Sequence, residues 1–159
     1  MWANYGTLKW LFILHLALNK RLLTKDRLAK WGGTSTFTCP LCQMEDEIID
    51  HLFFACMYTA GIWNKLLAWQ GIQCTEGEWH EEIQRATENM KRNNNKAKVY
   101  RMVLAGTIYH VWIERNNRIF QAKQRNEEFM IRHIIREIHG RGSHHGRLRS
   151  RLRELDVYP

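Results

Sequence analysis

The sequence predicts a small, mostly α-helical domain, organised by one structural metal site and carrying a long amphipathic helix in its carboxyl-terminal half. Three observations predict it. Apolar residues recur at helical spacing through most of the 159 residues, and only two prolines and ten glycines interrupt them. Four metal-type side chains, Cys39, Cys42, His51 and Cys56, crowd into one short segment. With 45% hydrophobic residues the chain can bury a single core, and no internal repeat divides it.

The first element is an apolar run from Trp10 to Leu18 between Lys9 and Lys20. It is far short of the roughly 20 apolar residues that span a bilayer. His15 interrupts it, and Asn19, Lys20 and Arg21 stand where a signal peptide needs small residues, so the run reads as a buried core helix. Thr24 is placed as the N-cap of a second short helix through Asp26, Arg27, Leu28 and Trp31, which Gly32 and Gly33 stop. Residues 34–38 form an extended lead into the metal segment, a minimal hairpin arm. Further helices are expected at about residues 46–55, 59–70, 78–90, 96–121 and 127–139. Among seven tryptophans, Trp10, Trp31, Trp63 and Trp112 sit in apolar periodic segments and read as core anchors.

Cys39, Cys42, His51 and Cys56 are spaced C-x2-C-x8-H-x4-C. A tight Cys-x-x-Cys turn presents two thiolates to one side of a metal, and a short helix carrying His51 closes the tetrahedron with Cys56 at its end. Three sulfurs and one imidazole with no open position describe one structural Zn2+, whereas iron–sulfur clusters usually take four thiolates. The bland alternative is buried free cysteines beside a satisfied histidine. Cys74, the fourth cysteine, lies outside the motif as a small core or surface residue. With the other three committed to metal, disulfides are disfavoured and a reducing compartment, nucleus or cytoplasm, is expected. Glu45, Asp46, Glu47 and Asp50 beside the motif are read as complements to a helix N-terminus rather than as a nuclease site.

The residues around this motif resemble a known family. They run from Arg21, Leu22, Leu23 and Thr24 to Trp31 and Gly32, through Cys39, Pro40, Leu41 and Cys42, then Asp50, His51, Leu52, Phe53, Phe54, Ala55 and Cys56. Ile62 and Trp63 follow, and last come Trp112, Ile113, Glu114, Arg115, Asn116, Asn117, Arg118, Ile119 and Phe120. This order is similar to the zinc-binding domain at the carboxyl end of plant LINE-type (non-LTR) retrotransposon reverse transcriptases, over roughly residues 8 to 125. The resemblance implies an accessory module that assists binding of template RNA or target DNA. It implies no polymerase activity, because no Tyr-x-Asp-Asp motif occurs. Met1 stands where the family has endonuclease and polymerase sequence upstream, so a fragment or a separately encoded remnant is expected. The expected division is residues 1–125 as the zinc-binding domain and 126–159 as a short helix with a basic Gly/Arg-rich tail.

Charge decides where a nucleic acid would bind. Residues 39–90 hold nine acidic and two basic side chains, net −7, while residues 91–125 carry +8 of the chain's overall +8. Phosphate is therefore expected on the flanking basic segments rather than on the metal motif. On an ideal helix, Val99, Met102, Val103, Gly106, Tyr109, Ile113 and Phe120 share one side, with Lys98, Arg101, Arg115 and Lys123 broadly opposite. Those four cations, Arg118, and Arg147, Arg149, Arg151 and Arg153 in the tail are the candidate nucleic-acid-binding residues. The competing reading makes Arg115 and Arg118 internal hydrogen-bond donors. Catalytic motifs are lacking: there is no Gly-x-Ser-x-Gly, phosphate-binding loop or His-Glu-x-x-His. A non-enzymatic protein without a small-molecule substrate or a membrane is expected, with RNA or DNA as partner. The alternatives are docking on a reverse transcriptase or host protein, or a relic without selected function.

Overall fold

The computed structural model describes residues 7–73 and 77–155. The described residues are mostly helical, and the elements follow the expected order closely. They are α1 (Leu8–Leu18), α2 (Lys25–Ala29), a single π-helical turn (His51–Ala55), α3 (Met57–Trp69), α4 (Trp79–Lys91), α5 (Asn95–Gln121), α6 (Glu127–Gly142) and α7 (Gly146–Glu154).

Helix α1 starts because Thr7 accepts the amide hydrogen of Trp10 through its hydroxyl. Trp10, Leu14 and Ala17 recur on one face and are buried against α5. The two helices approach closely at Gly106, where an added Cβ would stand 3.0 Å from the Trp10 ring. No helix among the described residues is long and apolar enough to cross a membrane.

Helix α5 is the axis of the fold. Asn94 caps its start by accepting the Ala97 amide hydrogen at 2.8 Å, and Ala122, left-handed at φ 49°, ends it. Helices α1, α3, α4, α6 and α7 all pack on it. Its polar side therefore does not face solvent as an open basic stripe: Lys98, Glu114 and Arg115 are buried, while Phe120 is exposed. A helix covered from several directions cannot keep one face wet, whatever its periodicity.

Other expectations are corrected. Trp31 is 68% exposed, because α2 ends at Ala29 and leaves the ring at the surface near Arg27. The helix expected over residues 46–55 is shorter: Asp46 pairs with Thr38 in an antiparallel bridge, and the helical turn proper runs His51–Ala55. Beyond residue 139, residues 140–142 and 146–154 are helical as well. Helix α6 continues to Gly142, where Leu152 of α7 packs, and Leu148, Leu152 and Leu155 join the same core as α1, α3 and α5. Cys74 lies outside the described residues.

Candidate metal centre

The metal segment begins as a minimal hairpin. Residues 37–39 run antiparallel to 45–47, joined by Glu47 N–H to Phe37 O at 2.8 Å and Cys39 N–H to Glu45 O at 2.7 Å. Gln43, left-handed at φ 59°, turns the chain and donates its amide to Cys39 O. The turn therefore holds Cys39 and Cys42 at one end of the hairpin.

The other two ligands depend on the π turn. In an α-helix, residues five apart point about 140° away from each other. Here Cys56 N–H reaches back to His51 O at 2.7 Å, the i→i+5 bond of a π turn, so one full turn separates them and both face the hairpin. Cys56 then serves as the N-cap residue of α3.

One donor atom from each of Cys39, Cys42, His51 and Cys56 lies within 4.8 Å of the other three. Tetrahedral zinc with sulfur and nitrogen ligands needs S···N edges of about 3.6 Å, and Cys42 Sγ stands 3.3 Å from His51 Nε2. Cys39 and Cys56 are buried. The Cys39 thiol is pushed far up, first by its hydrogen bond to Cys56 and then by burial. Cys56 is lowered, first by that same bond, and the amides of Thr59 and Tyr58 at the start of α3 lower it further. The two sulfurs thus compete for one proton, a competition that a divalent cation removes. Burial lowers His51 against the opposing charges of Glu45 and Glu47, which favours the neutral imidazole that a metal requires. The donor set and its spacing fit one structural Zn2+ closed by four protein ligands.

The surroundings are held by α5. The buried carboxylate of Glu47 accepts from Arg115 Nη2 at 2.6 Å and Nε at 3.0 Å and from the Lys25 amide at 3.1 Å. Arg115 also donates to Leu23 O and lies 4.7 Å over the Trp112 ring. One turn on, Arg118 donates to Leu41 O at 2.9 Å and Pro40 O at 3.3 Å, the carbonyls between the first two ligands, and pairs with buried Glu114 at 2.9 Å. Glu47, expected as a helix-start charge, is instead the internal partner of Arg115, because residues 45–47 form a hairpin arm.

The candidate nucleic-acid residues separate into two groups. Arg115 and Arg118 are internal donors, Lys98 is buried, and Arg101 is half-buried with a bond to Met90 O. Lys123, Arg147, Arg149 and Arg153 are exposed, and Arg151 is half-buried between Glu154 and Gln70 O. Two cations outside the expected set join them: Arg92 and Lys96 line one cleft of about 180 Å³ together with Arg151. The run Lys91, Arg92, Asn93, Asn94, Asn95, Lys96 was the available signal.

No curated protein and no solved structure matches the chain. Residues 1–63, which contain the hairpin, the π turn and all four ligands, match the family model described as zinc-binding in reverse transcriptase, so this part of the chain is similar to the zinc-binding domains of reverse transcriptases.

Proposed function

We propose that this protein is a non-catalytic accessory module of a retrotransposon-derived protein, binding the backbone of RNA or DNA without reading sequence. The family match and the four-ligand cluster support the zinc-organised module. One observation supports nucleic acid as the partner. Asn95 Nδ2 donates to Arg147 O at 2.9 Å, which joins the start of α5 to the start of α7 across 52 positions of sequence. Arg92 and Lys96, beside the start of α5, line one cleft with Arg151 of α7, and this bond holds Arg147 at the neighbouring start of α7. Leu148 and Leu152 anchor α7 inward while Arg147, Arg149 and Arg153 stay exposed. Cations drawn from two elements suit phosphate binding, which fixes position without specifying bases. Acidic Glu45 and Asp50 lie with the hairpin and π turn, away from this role.

The test is binding of labelled RNA and DNA oligonucleotides across a salt series. Removing one cation that neutralises a phosphate should reduce the slope of log affinity against log salt by about 0.7 for single strands or 0.9 for duplex DNA. The variant Arg92→Glu/Lys96→Glu/Arg147→Glu should bind weakly and with a shallower slope. Unchanged affinity and slope, or no binding by the intact chain at low salt, would refute the reading.

A second reading is docking on a reverse transcriptase or a host protein. Leu8 and Phe12, one turn apart on α1, are 85% and 60% exposed and offer an apolar foothold. Such docking would be insensitive to salt, which separates it from the first.

A further inference from the structure

Separately from the cysteine cluster, α5 and α6 bring together a second set of metal-type side chains: His110 from α5, and His133 and Glu137 from α6. His133 and Glu137 are four residues apart on one helix and so share a face. His110 Nε2 stands 3.3 Å from Glu137 Oε2, and His133 Nε2 stands 3.6 Å from Glu137 Oε1. The two imidazole rings meet edge-on with centroids 4.8 Å apart. One donor atom from each of the three residues lies within 4.8 Å of the others. In a tetrahedral zinc site the N···O edge measures about 3.4 Å, so both observed separations already lie near it.

We propose that His110, His133 and Glu137 form a second divalent-cation site of the two-histidine, one-carboxylate type. Its chemistry differs from that of the first site, since it offers nitrogen and oxygen donors and no sulfur. The His110 side chain is 8% exposed, against 30% for His133 and 31% for Glu137, so the site has a closed inner wall and an open outer side. Three protein donors leave the remaining position to water on that side. Burial lowers the pKa of His110 to about 4, which keeps its imidazole neutral at pH 7, the form that binds a metal.

Arg141 competes as a cation, with Nη2 3.4 Å from Glu137 Oε2. It is also held 4.5 Å over the Trp10 ring, a contact that does not depend on Glu137. A cation between the three donors would take both carboxylate oxygens into its field while Arg141 keeps its place on Trp10. Occupancy would fasten α6 to the central helix, with each helix supplying ligands.

The experiment uses the full chain, loaded first with one equivalent of Zn2+ or of Co2+ and then titrated with more of the same ion. The intact protein should take up two equivalents, only one of which develops thiolate-to-cobalt charge-transfer absorption. His133→Ala and Glu137→Gln change half-exposed side chains and should weaken the second equivalent at least tenfold, leaving the thiolate band and the helical circular dichroism intact. A nitrogen-resolved spectrum of the wild-type imidazoles should show the His110 and His133 Nε2 resonances shifting together with the second Zn2+ equivalent. Uptake of a single equivalent by the intact chain, a second equivalent that persists in both variants, or unmoved His110 and His133 resonances would overturn the proposal. Loss of the thiolate band alone, as in Cys42→Ser, bears on the first site and not on this one.

Discussion

Glu47 and Arg115, 68 residues apart, form a fully buried, two-pronged ion pair that ties the second arm of the metal hairpin to the central helix. The carboxylate accepts from both Nε and Nη2 of the guanidinium and also from the Lys25 amide, so the pair joins three segments: the hairpin, the start of α2, and α5. Breaking one partner strands the other in the core, which for buried pairs costs on the order of 3–5 kcal/mol. Arg115→Ala or Glu47→Ala should lower the stability of the intact chain by about that much in urea unfolding. Arg115→Lys should also be destabilising, because an ammonium cannot reproduce the planar fork. Unaltered midpoints for all three variants would contradict this role.

Arg118 should act on the metal itself rather than mainly on global stability. Its guanidinium supports the carbonyls of Pro40 and Leu41, which frame the turn between the first two ligands. Charge-assisted bonds of this kind contribute roughly 1.5–3 kcal/mol. Arg118→Ala should release zinc to a colourimetric chelator at least several-fold faster than the wild type, and equal release rates would remove Arg118 from the support of the site.

The ligand role of His51 predicts an asymmetry between two substitutions. Zinc is viable with four thiolates, so His51→Cys should retain the metal while His51→Ala should lose it. The check is zinc content after gel filtration in the presence of a weak chelator. Equal retention by both variants would strike His51 from the ligand set.

His110 sets a pH dependence whose sign follows from its lowered pKa. The unfolded imidazole gains its proton near pH 6.5, while the buried one holds off until about 4. Between those values the unfolded state binds more protons, so stability is complete above about pH 6.5 and falls toward pH 4, with a slope of up to about 1.4 kcal/mol per pH unit. Comparing wild type with His110→Gln, each holding only the single equivalent of zinc at the cysteine site, isolates this contribution from acid release of that zinc, which both share. The variant should show the shallower profile over that window, and parallel profiles would contradict the assignment.

How much was legible in the sequence depended on range. The four ligands were readable because all lie within one short segment and their chemistry is local. Helix order was readable for the same reason, but side-chain capping was not: Thr24, the expected N-cap, stands at the start of α2 without a capping bond from its side chain, whereas Thr7, Asn94 and Asn126 accept the first-turn amides of their helices. The basic stripe on α5 was not, because a helical projection assumes one packed side, whereas α5 is enclosed by five helices. Arg115 and Glu47 were hidden from each other because spacing cannot show which distant charges share a buried site. The helix α7 was masked by the glycines at 140, 142 and 146, although Leu148 and Leu152 already stood four residues apart, the spacing of a buried face.

The central claim is that one thiolate-bound zinc organises the amino-terminal half. A structural zinc in a small peptide contributes apparent binding free energy on the order of 10–16 kcal/mol, comparable with or above the roughly 5–15 kcal/mol net stability of a whole domain. The most direct measurement is the zinc content and thermal unfolding of the intact chain beside Cys42→Ser. The intact chain should hold at least one equivalent of zinc, and the variant should show a large drop in melting temperature. Less than about half an equivalent in the intact chain, or an unchanged melting transition in Cys42→Ser, would contradict it.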